Sequence, residues 1–414
     1  MNPPETAQAS ARRHGPGMGA WRFVIAFGTV SLLADFVYEG ARSITGPLLA
    51  HLGATAAVVG IVTGIGEAAA LVLRLASGPL ADRTRRFWAW TISGYALTVI
   101  TVPVLGLASA LWVACALVIA ERVGKAVRSP AKDTLLSHAA AVTGRGKGFA
   151  VHEAMDQVGA LIGPLTVAAV LAATGDNYAP ALGVLALPGI AVVALLFWLR
   201  SRVPDPTTYE TAAPSPAPGA VGTRQAPARE PLPRAFWIYA AFTAATMSGF
   251  ATFGVLSFHL ITHHLLTAAA VPVLYAGAMA VDAAAALASG WAYDRIGPKV
   301  LAVLPVLAAG VPVLAFTRSL PLAAAGALLW GAAMGVQEST LRATVADLVG
   351  PGRRATAYGI FAAVVGAATA AGGALAGVLY DVSVPALITV TACIQAAALL
   401  LLAITRPSRI PPAR

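Results

Sequence analysis

A long apolar run, residues 21–52, carries three ionisable side chains near its middle, Asp35, Glu39 and Arg42. Roughly 20 apolar residues cross a bilayer, so this run is long enough to span one. Each charge at that depth costs about 2.5–3.5 kcal/mol on insertion scales, and it is therefore expected to face a protein interior or a water-filled cavity. The run predicts a membrane-spanning helix that carries a polar site.

The spacing of these three residues places them on one narrow stripe of a helix, because each residue turns the helix by 100°. One interpretation is structural: Glu39 and Arg42 form a salt bridge that holds helices together. The other is functional, since charged residues inside a membrane mark pathways for substrates and ions. The predicted site also includes Tyr38, which adjoins Glu39.

Composition extends the membrane prediction to the whole chain. Of the 414 residues, 58% are hydrophobic and 11% are charged, and the mean hydropathy is +0.75, whereas soluble domains are about 25% charged. The net charge of +10 does not indicate nucleic-acid binding, because the lysines and arginines lie in short loops. Cys115 and Cys393 lie in apolar runs and predict neither a disulfide nor a metal site. The chain is expected to be an all-α polytopic membrane protein.

Twelve apolar segments follow one another along the chain. They cover 21–50, 54–78, 87–108, 110–137, 148–173, 179–199, 235–262, 270–292, 299–317, 320–342, 355–379 and 384–405. Residues 201–233, rich in Pro, Ala, Thr and Ser, are typical of a flexible linker. We predict six-helix bundles at 21–200 and 234–405, with tails at 1–20 and 406–414.

Basic residues concentrate in alternate loops. They surround the linker, precede the first and eleventh segments, and follow the second, eighth and twelfth, whereas the remaining loops hold almost none, Arg318 being the exception. The positive-inside rule then predicts that the linker and both termini are cytoplasmic. We expect an integral protein of a bacterial inner membrane.

Two motifs occur once in each half of the chain. The loop motif consists of Gly78, Asp82 and Arg83 after the second segment and of Gly290, Asp294 and Arg295 after the eighth. The fifth and eleventh segments also begin alike, at 145–150 and 354–359. Their separation along the chain is nearly equal to the separation of the two loop motifs. Two related offsets in the same order indicate a duplicated six-helix unit.

The loop motif resembles a signature of the major facilitator superfamily, and this resemblance covers all twelve segments. The fifth segment contains Gly159-x-x-x-Gly163-Pro164, similar to a motif of the drug/proton antiporter branch. Arg122 in the fourth segment matches that branch's intramembrane arginine, although Lys-Ala replaces the Gln-Gly that follows it in the branch. The resemblance implies alternating access between two six-helix bundles, with a central cavity lined by the first and fourth segments.

The resemblance also implies gating roles. In the family, the loop aspartate meets the N-terminus of the eleventh helix and closes the cytoplasmic side, a role that falls here on Asp82. The alternative interpretation is that Asp82 is an ordinary turn residue among the basic residues of a cytoplasmic loop. The second copy of the motif, at Asp294, argues against this alternative. Gly159 and Gly163 form a small-xxx-small pair, which either packs helices closely or takes part in gating.

Further polar residues are unevenly distributed between the halves. Glu67 lies in the second segment, and His152 and Asp156 lie on one stripe of the fifth, whereas the second half keeps chiefly Asp282 and Glu338. We therefore expect ion coupling in the first half and contact between the apolar second half and a lipophilic part of the substrate.

Three functions remain open. The first is proton-coupled export of a small organic compound or drug, and the second is export of a divalent metal ion, since carboxylates and His152 suit several such ions. The third is a membrane receptor or scaffold that transports nothing. The sequence holds no nucleotide loop, nucleophile elbow or metalloprotease motif, so neither an enzyme nor a cofactor is expected. The expected partners are a small-molecule substrate, protons and the lipid bilayer, and the protein is expected to work as a monomer.

Overall fold

The computed structural model describes residues 18–211, 231–350 and 353–404, and every regular element in them is helical. The tails predicted at 1–20 and 406–414 and the linker predicted at 201–233 lie largely outside the described residues. The described part of the linker includes one helical turn, Thr208–Thr211.

The first half begins with a helix that matches the predicted apolar run closely. Its helices are α1 Ala20–His51, α2 Ala56–Val72, α3 Arg74–Thr84, α4 Phe87–Leu105, α5 Leu111–Thr143, α6 Arg145–Thr174, α7 Tyr178–Gly183, α8 Ala186–Arg202 and α9 Thr208–Thr211. Only Leu73 separates α2 from α3, so the two follow each other almost without interruption.

The second half contains one broken helix. Its helices are α10 Arg234–Ser248, α11 Phe253–Thr262, α12 Ala270–Ile296, a 3-10 helix Gly297–Ala302, α13 Val303–Ala315, α14 Leu320–Leu348, α15 Arg354–Val382 and α16 Val384–Ile404. Between α10 and α11, the carbonyl of Ala251 accepts a hydrogen bond from the Trp330 indole, at 2.9 Å. The break is tolerated because its backbone finds partners inside the protein.

Ten helical stretches of the described residues are long and apolar enough to cross a membrane. They do not include α5, which carries more charge than the others, and they count 270–315 as a single stretch of 46 residues. The structure therefore confirms an all-helical protein with many membrane spans, whereas the predicted number of twelve is not confirmed.

Most of each apolar core belongs to one half, and the halves meet mainly along three helix pairs. Helix α2 packs against α15, α6 packs against α12, and α1 packs against α11. Where α2 meets α15, a Cβ added to Gly60 would lie against the carbonyl oxygen of Gly373. A Cβ added to Gly373 would likewise lie against the carbonyl oxygen of Gly60. Small residues of this kind let two helix backbones approach closely inside a membrane.

The two halves are joined by polar contacts at the end of the bundle that lies away from Arg83 and Arg353. We call the end with these arginines the basic end and the other the opposite end. At the opposite end, the Asp381 carboxylate of α15 accepts hydrogen bonds from the N–H groups of Ala56 and Ala57, at 3.1 and 2.8 Å. An aspartate of the second half thus caps the first turn of α2.

Replacing Asp381 by alanine is expected to favour opening at the opposite end. A helix cap contributes about 1 kcal/mol, so its loss should raise the population opened at that end about fivefold. Distances between spin labels on cysteines placed at His51 and Ser319, in a protein without Cys115 and Cys393, would measure the shift.

Asp205→Ala serves as the control for this prediction, because the Asp205 carboxylate accepts hydrogen bonds from the nearby Thr207 and, among the described residues, from none in the second half. An unchanged distance distribution in Asp381→Ala, with a ligand-induced change still visible in the parent protein, would show that the cap does not hold the halves together.

Candidate functional site

A cavity of about 420 Å³ lies between the two halves of the protein. Its lining on α5, α6 and α14 lies in the part of each helix nearer the basic end. The charged side chains at its wall are Asp35, Glu39, Arg42, Arg74, Lys125, Arg128, Lys132, Asp133, Glu153, Asp156, Asp282, Glu338 and Arg342. Intramembrane charge is expected to face such a cavity, because exposure to lipid is costly.

Helix α1 brings the three residues of the predicted stripe to this cavity. Glu39 lies 3.5 Å from Arg42, so the predicted salt bridge is present. The second carboxylate oxygen of Glu39 accepts a hydrogen bond from the hydroxyl of Tyr275, a fully buried residue of α12. Glu39 therefore links the first half to the second. Asp35 also lines the cavity, but it forms no hydrogen bond or ion pair with any described residue.

A second layer of charge lies behind the cavity wall. Glu67 of α2 places one carboxylate oxygen 3.0 Å from Arg42 and 3.1 Å from Arg122 of α5. The contact with Arg122 Nη1 lacks hydrogen-bond geometry and is therefore an electrostatic attraction. Arg122 also lies 3.2 Å from Glu121, its neighbour on α5. This ion cluster holds α1, α2 and α5 together.

Aromatic rings cover the same cluster. The guanidinium of Arg122 lies 4.4 Å from the ring centre of Tyr38, and the Lys125 ammonium lies 3.9 Å from that ring. Arg42 lies 5.9 Å from the ring centre of Trp330 in α14. Cations gain electrostatic energy over an aromatic face, most of all where water is excluded. Tyr38 thus belongs to the cluster as a support for two cations.

Helix α6 contributes an acid with a histidine behind it. Asp156 lines the cavity, and its Oδ1 lies 3.4 Å from Nδ1 of His152. His152 itself is buried and packs edge-on against Phe27 of α1. The imidazole therefore lies behind Asp156, outside the cavity wall.

The predicted site residues of the first half form a continuous group. Four of them line the cavity, namely Asp35, Glu39, Arg42 and Asp156, while Glu67, Arg122 and Tyr38 lie directly behind the wall. The described residues include no group of three or more His, Cys, Asp or Glu side chains placed to hold a metal ion.

The predicted gating residues separate into two kinds. Gly159 and Gly163 of α6 face α1 so closely that an added Cβ would lie against the carbonyl oxygens of Leu32 and Phe36, and Pro164 follows them within the helix. These positions require glycine for close helix packing.

The loop-motif residues lie at the basic end instead. Asp82, Arg83 and Asp294 are exposed, and Asp82 and Asp294 form no hydrogen bond or ion pair with the described residues. Arg295 lies 3.5 Å from the ring centre of Trp291. An added Cβ would meet no atom of the described residues within 4 Å at Gly290 and would make an ordinary contact with Pro130, at 3.8 Å, at Gly78. Neither glycine is therefore required by packing in this conformation.

Several cavity residues are absent from the site predicted from the sequence. Lys132 and Arg342 are the clearest, and Asp282 and Glu338 were noticed only as isolated charges. Tyr275, which lies behind the lining and binds Glu39, was also missed. The second half therefore contributes charge as well as Met279 and Met334 to the lining. This does not support the expectation that the second half presents an apolar surface to a lipophilic substrate.

Comparison with known proteins agrees with this architecture. The sequence matches the Major Facilitator Superfamily over residues 27–281 and again over 238–414. An uncharacterized protein of Mycobacterium tuberculosis (strain ATCC 25618 / H37Rv) is 65% identical over 397 residues, which are 96% of this chain and 96% of that protein. An uncharacterized MFS-type transporter of Methanocaldococcus jannaschii is 25% identical over 366 residues, or 87% of this chain and 89% of that protein.

A solved structure shows the same fold. It is the crystal structure of a bacterial homolog to the human lysosomal transporter Spinster, in an inward-facing and occupied conformation. The TM-score is 0.66 at 17% sequence identity, and the match covers 92% of this chain and 94% of that chain. The two family matches together span most of the sequence. The chain therefore belongs to the Major Facilitator Superfamily, a family of transporters and not of enzymes.

Proposed function

We propose that this protein is a proton-coupled secondary transporter that exports a small organic compound across a bacterial inner membrane by alternating access. The observation that carries the proposal is the charged cavity between the two halves, together with the Asp381 contacts that join the halves at the opposite end. A solute enters such a cavity from one side, and rocking of the halves exposes it to the other. The protein works as a monomer, since each chain contains a complete cavity.

Twelve membrane crossings are part of this proposal. A helical stretch of 46 residues, 270–315, extends about 69 Å at 1.5 Å per residue, which is twice the roughly 30 Å of a bilayer core. A turn at Gly297, where φ is +65°, lies between α12 and α13 and lets the chain cross twice. Helix α5 completes the twelve, because its charges face the cavity and the ion cluster rather than lipid.

The basic end is proposed to face the cytoplasm, with both termini on that side. A cysteine placed at Ala217, which lies outside the described residues, should react with an impermeant thiol reagent only after the cells are opened. Replacing Cys115 and Cys393 first removes background labelling, and a cysteine at Ser319 serves as the control that labels from outside. Ready labelling at Ala217 in intact cells would reverse the orientation.

Export and proton coupling are favoured by features of the first half. Two features resemble the drug/proton antiporter branch, namely the motif of Gly159, Gly163 and Pro164 and the intramembrane Arg122. In addition, Asp35 offers a carboxylate without an ion-pair partner among the described residues. A carboxylate of this kind can take up and release a proton as the cavity changes sides.

Proteoliposomes loaded with a pH-sensitive dye would test this function. With a proton gradient imposed, addition of a transported compound should release protons, and protein-free liposomes should not respond. Quenching of a metal-sensitive dye by Mn²⁺ or Zn²⁺ would instead establish metal transport. The absence of any solute or ion flux would favour a receptor or scaffold.

Replacing Asp82 by asparagine is expected to slow transport about two- to fivefold without reducing membrane insertion. In this conformation Asp82 is exposed and forms no hydrogen bond or ion pair with the described residues. We expect its carboxylate to contact the N-terminus of α15 when the basic end closes. A charge beside a helix N-terminus contributes about 0.3–1 kcal/mol, which the neutral amide would lose. Asp294→Asn should have a smaller effect. Wild-type rates in both variants would defeat the gating role.

A further inference from the structure

One side of the cavity, which we call the basic wall, is formed by Lys125, Arg128 and Lys132 of α5 and by Arg74 of α3, with the single carboxylate of Asp133 next to Lys132. The α5 positions are three and four residues apart, so their side chains share one helix face. Arg128 is fixed by a hydrogen bond from Nη1 to Thr98, at 2.9 Å, and by the ring of Tyr95. Lys132 has no hydrogen bond or ion pair with the described residues, which leaves its ammonium available to a ligand.

Another side, which we call the acidic wall, is formed by Asp35 of α1, Glu153 and Asp156 of α6 and Asp282 of α12. Glu153 and Asp156 are one turn apart and share a face of α6. Three of its four residues therefore lie on α6 and α12, one of the helix pairs along which the two halves meet. Helix α14 adds one residue of each sign, Glu338 and Arg342, and leaves the difference between the walls unchanged.

The two walls attract each other without direct contact, since Lys132 acts on Asp35 and Asp156 from a distance. Among the residues that the structure describes, no basic-wall side chain lies within ion-pair distance of an acidic-wall carboxylate. Asp282 is 5% exposed, and its buried Oδ1 has no hydrogen-bond partner in the described protein. The Nε of Arg74 is likewise buried without a partner. A buried polar group without a partner costs free energy, so both walls are completed by something that enters the cavity.

We propose that the substrate is a small zwitterion, which places its cationic group against the acidic wall and its anionic group against the basic wall. This inference rests on the proposed transport function and names the chemical class of the solute. The cavity of about 420 Å³ lies within the roughly 300–1,000 Å³ typical of sites for small organic molecules. A solute with a single charge would contact one wall and leave the charged groups of the other wall without a ligand of opposite charge. A neutral lipophile would leave the charged groups of both walls without such a ligand.

Thermal stabilisation of the purified full-length protein tests the class of ligand. The probes are a metabolite library with equal numbers of zwitterions, cations, anions and neutral compounds, supplemented with dialanine, its C-terminal amide, its N-acetyl derivative and the doubly blocked form. We expect the stabilising compounds to be zwitterions. The inference is overturned if the stabilising compounds come from the other three classes, or if no zwitterion stabilises the protein.

Two variants test which wall binds which group, using the most stabilising zwitterion with its amide and N-acetyl derivatives. Lys132→Gln should weaken the zwitterion about tenfold or more, because a close buried charge contact contributes at least that factor, and should leave the amide derivative unchanged. Asp282→Asn should weaken the zwitterion similarly and leave the N-acetyl derivative unchanged. Arg318→Gln, a charge removed from an exposed loop, is the matched control. Equal weakening of all three compounds by both variants would contradict this binding orientation.

Proton release in proteoliposomes separates this inference from the proposed function. Binding of a zwitterion without proton movement would support the substrate class and defeat proton coupling. Proton release driven by a singly charged or neutral compound, but by no zwitterion, would support coupling and overturn the substrate class.

Discussion

Replacing Arg122 by glutamine is expected to destabilise the protein by about 3–5 kcal/mol, since removal of one partner from a buried ion pair leaves an uncompensated charge. Arg122 is 6% exposed and lies between Glu67 and Glu121, at 3.1 and 3.2 Å. Glu67 keeps Arg42 at 3.0 Å, but Glu121 has no other cation within ion-pair distance among the described residues. The stranded group is therefore Glu121.

A second substitution tests this explanation. Adding Glu121→Gln to Arg122→Gln removes the stranded charge and should recover part of the lost stability, because neutral pairs in place of buried ion pairs are often tolerated. An unfolding titration with SDS in mixed micelles would give the free energy for the parent, both single variants and the double variant. The matched control is Arg318→Gln, which removes a guanidinium from an exposed loop and should change the free energy little.

Additive effects of the two substitutions would contradict the pairing of Arg122 with Glu121. In that case the loss in Arg122→Gln would come from its contact with the ring of Tyr38, at 4.4 Å, or from Glu67. Arg122→Lys would show whether the positive charge alone is sufficient, since an ammonium keeps the charge but cannot present Nε and Nη1 to two carboxylates together.

The fold was largely predictable because membrane crossing leaves a strong pattern in a sequence. The first apolar run, 21–50, became α1 Ala20–His51, and its charged stripe faces the protein interior as expected. The break between α10 and α11 was not predictable, since residues 235–262 read as one apolar segment. The break is stabilised by Trp330, a side chain 79 residues from the carbonyl that it binds.

The site was predictable only within each half. Helical spacing placed Asp35, Glu39 and Arg42 together, but no local pattern indicates that Tyr275 donates a hydrogen bond to Glu39 across 236 residues. One residue of the basic wall, Lys132, was missed for a related reason. Lys132 stands near the end of the predicted fourth segment, 110–137, where a lysine is equally typical of the membrane surface. Only the packing of the two halves shows that it lines a cavity.

The contact of Glu39 with Tyr275 also separates the roles of the two carboxylates in α1. Glu39 is engaged by Arg42 and by the Tyr275 hydroxyl, so its negative charge is compensated. Asp35 has neither kind of partner among the described residues and faces the cavity. The two residues are one turn apart, roughly 6 Å along the helix, where two negative charges repel by about 3 kcal/mol at an effective dielectric constant of 20. A proton on Asp35 removes that repulsion without breaking any contact.

Asp35→Asn is therefore expected to abolish uphill transport driven by a proton gradient while substrate exchange between equal pH values continues. The amide keeps the shape of the side chain but cannot carry a proton between the two sides. Accumulation of substrate in proteoliposomes under an imposed pH gradient should fall to the protein-free level, whereas counterflow of labelled substrate should persist.

Glu39→Gln is the comparison variant for this prediction, because it replaces the neighbouring carboxylate of α1. The amide would leave Arg42 with Glu67 alone and would change the contact with Tyr275, so we expect lower stability or weaker substrate binding rather than a selective loss of coupling. Residual coupling in Asp35→Asn, contrary to this expectation, would mean that the proton passes to Glu39, because neighbouring carboxylates titrate as a pair. The variant with both Asp35→Asn and Glu39→Gln excludes that route. If this double variant still accumulates substrate from an imposed pH gradient, the proton is carried elsewhere, and Asp156 of the acidic wall becomes the next carboxylate to replace.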